Sequence, residues 1–146
     1  MKAFDYLEKI RKLKRNITLI DIEREIIVQE TFSPPAIQYD AEKVFTMPKR
    51  DSLEKAIIDH LERTDRLSKT LIKLKNSYME KMDEALKYIR MMDSDEQQEV
   101  LILRYICNKK WEDILRYRGC DDIRNQYRLH ERALDNFQSI LDKNSP

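Results

Sequence analysis

Apolar residues along the first third of the chain recur alternately four and three positions apart: Tyr6, Ile10, Leu13, Ile17, Ile20, then Arg24 and Ile27. That is the spacing of one face of an α-helix with one charged interruption. Phe4, Leu7 and Leu19 widen the stripe, and the pattern predicts a helix from about Ala3 to Gln29. The segment Phe32–Arg50 (FSPPAIQYDAEKVFTMPKR) carries three prolines and no sustained period, so it reads as a long connection. A second stripe follows at Leu53, Ile57, His60, Thr64, Leu67, Leu71, Leu74 and Tyr78, continued by Met82, Ala85 and Ile89. It predicts a helix from Ser52 to about Met91, with Asp51 and Glu54 as its capping box. Two long stripes joined by a connection predict a helical hairpin or coiled coil, with His60 and Thr64 as polar steps in the seam. The same pattern pairs equally well within one chain or between two.

From Ser94 the elements shorten. Ser94 and Gln97 form another capping box, and Val100, Leu101, Leu103, Ile106 and Cys107 give the following helix an apolar face. Asn108-Lys109-Lys110 interrupts it, and Trp111–Arg118 (WEDILRYR) is a two-turn helix. Gly119 stands where a helix ends in a left-handed residue. Asp122 caps a last helix reaching about Leu141, with an inner stripe of Ile123, Tyr127, His130, Leu134, Phe137 and Leu141. Trp111, Ile114 and Leu129 would wedge the short helix against the long one. The expected fold is therefore all-α, with a helical hairpin or coiled coil over 1–92 and a second domain over 93–146.

Composition narrows the chemistry. The chain has 146 residues, 38% of them charged, with 28 Lys and Arg against 27 Asp and Glu. The single Gly excludes most phosphate-cradling loops. The acidic residues alternate with basic ones at helical spacing, as on a solvated, ion-paired face. No nucleophile–base pair or metal-ligand spacing stands out, so no enzyme, metal or cofactor is expected. Cys107 and Cys120 are too few for a disulfide framework, and His60 and His130 read as structural. Met79, Met82, Met91 and Met92 read as core filler. With no membrane-length apolar run and no apolar leader, a soluble cytoplasmic protein is expected.

Helix, short helix, glycine turn and longer helix is the layout of a helix-turn-helix. The stretch Glu99–Leu134 (EVLILRYICNKKWEDILRYRGCDDIRNQYRLHERAL) resembles the region-four helix-turn-helix of sigma-70 factors. The likeness rests on Leu103-Arg104-Tyr105, Trp111-Glu112-Asp113-Ile114, Arg128-Leu129-His130 and Ala133-Leu134. The chain is more closely similar to small phage and mobile-element regulators of the ArpU and RinA type. It departs from them at Leu115 and Arg118, and its Gly119-Cys120-Asp121 turn reads one residue longer, which would place Gln126 at a position usually held by Val or Ile.

The resemblance implies a sequence-specific transcriptional regulator of phage or mobile-element late genes, acting on double-stranded DNA beside RNA polymerase. On the last helix Arg124, Asn125 and Arg128 are the base-reading candidates, because Arg pairs with guanine and Asn with adenine bidentately. Lys109, Lys110, Arg116 and Arg132 are the phosphate candidates. Ser94–Pro146 nevertheless holds nine Lys and Arg against ten Asp and Glu, a net −1. Such a domain needs a co-anchor: polymerase, another DNA-bound protein, or a homodimer joined through the N-terminal helices. The alternatives are a protein-interaction module and a DNA-packaging adaptor.

Overall fold

The computed structural model describes residues 1–32 and 50–145. The chain is all-α, with no strand among the described residues. Helix α1 spans Ala3–Phe32 and α2 spans Arg50–Arg90. Then come α3 (Asp95–Leu101), a π-helical turn (Ile102–Ile106), α4 (Trp111–Arg118) and α5 (Ile123–Asn144). The interior of the connection proposed between the long helices lies outside the described residues. Helix α2 begins at Arg50, so Asp51 lies in its first turn and is not its cap; there its carboxylate still favours the helix dipole.

The chain divides into two compact units, Met1–Arg15 with Asn76–Pro146, and Asn16–Lys75. This division differs from the 92/93 boundary suggested by the change of sequence texture. In the second unit, parts of α1 and α2 run antiparallel, joined by Asp21–Lys75 at 3.9 Å and Glu23–Arg63 at 3.6 Å. Ile17, Ile27 and Leu71 are buried, and His60 and Thr64 are half-buried in the seam as expected. Thr64 donates its hydroxyl to the His60 carbonyl at 2.9 Å, which satisfies it locally. Leu53 and Ile57, expected on the α2 stripe, are exposed. Leu19, expected on the α1 stripe, is exposed as well.

The first unit has one core, in which the first turns of α1 and the last turns of α2 meet the short helices. Ala3, Leu7, Ile10, Ala85, Ile89 and Met92 pack with Leu101, Tyr105, Ile106, Ala133, Phe137 and Leu141. Tyr6, Tyr88 and Phe137 form an aromatic triad with ring centroids 5.8–6.5 Å apart. Phe4 lies off this face and is exposed; so do Met79 and Met91, whereas Met92 is buried and Met82 half-buried. Polar ties fix α1 to its neighbours. Gln138 accepts from the Ala3 amide through Oε1 and donates to the Met1 carbonyl at 3.2 Å. Lys14 donates to the Ile106 carbonyl at 2.9 Å, and Asn108 donates to the Arg11 carbonyl at 3.4 Å.

Candidate nucleic-acid interface

Local capping chemistry sets the boundaries of the C-terminal helices. The Ser94 hydroxyl accepts from the Gln97 amide at 3.4 Å and opens α3. The helix then widens, with the Cys107 amide donating to the Ile102 carbonyl at 2.9 Å. The wider turn inserts an extra residue. Leu101, Leu103, Tyr105 and Ile106 are all buried as a result, and Cys107, expected on the apolar face, is rotated out and exposed. Asn108 breaks the helix in a left-handed conformation at φ 56°. Helix α4 ends at Gly119, φ 65°, and α5 opens with the Asp122 carboxylate accepting from the Arg124 amide at 3.0 Å.

Ile114 of α4 is fully buried, and Trp111 meets Tyr127 and His130 of α5 edge-on, each at 5.0 Å between centroids. His130 also shares a 2.8 Å hydrogen bond with the Tyr105 hydroxyl. Burial, then the nearby Arg104 charge, pulls the imidazole down to about 4. Burial, then Glu8, pushes the Tyr105 phenol up to about 12. Both groups are therefore neutral at pH 7, and their bond is a neutral structural link between the π-helical turn and α5.

The buried face of α5 runs through Gln126, Ala133, Phe137 and Leu141. It is rotated at its start from the expected stripe: Ile123 and Tyr127 are partly exposed and Gln126 is only 3% exposed. The side of Tyr127 packs against Trp111, which turns the neighbouring Gln126 inward. The Gln126 Oε1 has no hydrogen-bond partner there. Arg118 donates Nη1 to Glu99 at 2.7 Å with its side chain 9% exposed. An ion pair thus ties the end of α4 to α3.

Arg124, Asn125, Arg128 and Arg132 are all exposed. Arg124, Arg128 and Arg132 recur every four residues, so they form one column on the side of α5 opposite Gln126, Ala133 and Phe137. Lys109, Lys110 and Arg116 are exposed too, and Lys109 and Arg116 line one shallow depression with Leu103, Asp113 and Tyr117. Tyr117, 71% exposed, was not among the sequence-derived candidates. Its signal was its place off the Trp111–Ile114–Arg118 face of α4. The Asp122 carboxylate occupies the amide at the start of α5, so an approaching phosphate would rely on side chains and not on the helix end.

No family model, curated protein or solved structure matches this chain. Among the described residues no group of three or more His, Cys, Asp or Glu is placed to hold a metal ion. No described helix is long and apolar enough to cross a membrane.

Proposed function

We propose that the chain is a sequence-specific DNA-binding transcriptional regulator, sigma-factor-like in its C-terminal part, with no catalytic step. The observation that carries this reading is the exposed column Arg124–Arg128–Arg132, with Asn125 beside it, on a helix held from behind by α3 and α4. Arg124, Asn125 and Arg128 lie in its first two turns, which enter a major groove in helix-turn-helix docking, and their side chains match guanine and adenine edges. Lys109, Lys110, Arg116 and Arg132 would contact flanking phosphates. The resemblance to ArpU- and RinA-type regulators adds the setting: late genes of a phage or mobile element, read beside host RNA polymerase in the cytoplasm. The balanced charge of the C-terminal region supports a co-anchor, either polymerase or a second copy joined through the long helices.

The same balanced charge favours the rival reading, a protein adaptor that binds DNA only non-specifically or not at all. Salt titrations of binding to the promoter region of the chain's own operon and to random DNA separate the two. A regulator prefers its own promoter by a factor of about 10³ or more at physiological salt. Equal affinity for both DNAs supports a packaging adaptor, and binding to neither supports an interaction module. Arg124→Ala or Arg128→Ala should cost about 1–3 kcal/mol and relax specificity at one base position. Lys109→Ala should weaken binding uniformly and reduce the salt slope by about one. Unchanged promoter binding in both arginine variants would contradict the assigned face.

A further inference from the structure

Residues 1–15 fold into the same compact unit as the C-terminal helices, and they carry charge with them. They hold six Lys and Arg against two Asp and Glu, whereas residues 94–146 hold nine against ten. With residues 76–93 included, the unit has 18 basic and 16 acidic residues. The first turns of α1 thus turn a slightly negative set of short helices into a slightly positive unit.

Two hydrogen bonds fix where that charge lies. Lys14 donates to the Ile106 carbonyl at 2.9 Å, and Asn108 donates to the Arg11 carbonyl at 3.4 Å. Residues 11–15 of α1 therefore run beside the break at 106–110, which carries Lys109 and Lys110. Arg104 is held at the same break, donating to the Lys109 carbonyl at 3.1 Å. Arg11, Lys14, Arg15, Arg104, Lys109 and Lys110 so gather along one edge. The carboxylates of the surrounding elements are fewer: Glu8, which pairs with Arg11 at 3.7 Å, Glu112 and Asp113 in the first turn of α4, and Glu131 of α5. Among the described residues none of them forms an ion pair with Arg15, Lys109 or Lys110, and these three are exposed. Like charges crowded on a surface raise the local potential and draw an anionic partner.

Position selects the anion. Lys109 and Lys110 immediately precede α4, and the first helix of such a pair crosses the sugar–phosphate backbone when the second enters a major groove. Arg15 stands one turn beyond Arg11 in the same column of α1, so it prolongs the Lys109–Lys110 edge. Lys9 lies on the other flank of α1, roughly 120–160° round the helix from Arg11 and Arg15.

We propose that the edge formed by α1 and the 106–110 break holds the backbone of duplex DNA, with Arg15 contacting a phosphate beside Lys109 and Lys110. This role rests on the reading of α5 as the groove-facing helix, and it supplies from within the chain part of the anchoring charge that the short helices lack.

Binding of the full chain to its own promoter fragment, and to a random-sequence duplex of equal length, is measured by fluorescence anisotropy over a salt series. Each phosphate contact adds roughly 0.9 to the slope of log affinity against log salt. Arg15→Ala should lower the slope by about that amount on both duplexes and weaken each about eightfold near 0.1 M salt, with the ratio between them unchanged. Arg15→Lys should keep the slope. Lys9→Ala removes the same charge from the other flank and should leave the slope as it is. Arg15 is exposed, so its truncation spares the core. An unchanged slope in Arg15→Ala, or an equal loss in Lys9→Ala, would overturn the proposal. The Arg124→Ala/Arg128→Ala double variant separates the edge from the α5 reading. Loss of promoter preference there, with no effect of Arg15→Ala, rejects the edge alone. A lowered slope in Arg15→Ala, with promoter preference intact in the double variant, keeps the edge and rejects the α5 assignment. A chain that binds neither duplex overturns both.

Discussion

Replacing Gln126 with leucine should make the protein more stable. Its Oε1 is buried without a hydrogen-bond partner, on the face that carries Ala133 and Phe137 into the core. A buried acceptor left unpaired costs about 1–3 kcal/mol relative to a satisfied one. Leucine has nearly the same volume, so the exchange removes that penalty without opening a cavity. A net gain of about 1 kcal/mol is expected after losing what the amide nitrogen contributes, equivalent to roughly 2–4 °C in melting temperature for a chain of this size. Urea unfolding followed by Trp111 emission is the assay, because that ring touches α5 at Tyr127 and His130. The midpoint should rise with an unchanged slope. Gln126→Glu is the control; a carboxylate there should be destabilising at pH 7 and recover as pH falls and the group protonates. A Gln126→Leu protein less stable than the parent by about 1 kcal/mol would show that the amide is satisfied and the reasoning wrong. DNA binding should not change, since Gln126 faces away from the arginine column.

Three further outcomes follow from the same geometry. Gly119→Ala should cost about 1 kcal/mol for the left-handed backbone alone, because nothing lies within 4 Å of an added Cβ, and Gly119→Asn should cost less; thermal melts of both check this. Glu99→Ala should cost about 2 kcal/mol or more by leaving the buried Arg118 charge unpaired, whereas Arg118→Met should be nearly neutral; equal costs in urea unfolding would deny that asymmetry. His130 has a folded value of about 4 against 6.5 in the unfolded chain, so the unfolded state takes up the proton first. Stability should fall as pH drops from about 6.5 toward 4, and His130→Gln should lose that component between pH 7 and 5; parallel curves for both proteins would refute it.

What could be read from the residues was local. The bounds of α4, the Ser94 and Asp122 caps and the left-handed Gly119 depend on side chains within four positions, so sequence carries them in full. Asp51 reads as a cap but lies inside the first turn, because the helix already includes Arg50. The exposure of Cys107 was hidden because a π-helical turn shifts every later residue off the α-helical period. The inner stripe of α5 was misplaced at its start because two lines of residues, through Tyr127 and through Gln126, both fit a 3.6 period. Trp111 chooses between them by packing from the side, which is a tertiary fact. The joining of residues 1–15 with the C-terminal helices is likewise tertiary. It places Phe4 and Arg11 around one concavity with Trp111 and Tyr127, which reading along the chain could not show.

Recovery of protected genomic fragments tests the central claim most directly. Purified full-length protein is incubated with sheared DNA from its own source, digested with nuclease, and the surviving fragments are sequenced. The account predicts a discrete short motif upstream of genes, lost in the Arg124→Ala/Arg128→Ala double variant while folding is retained. Fragments without a common motif, or the same motif recovered by the double variant, would contradict it.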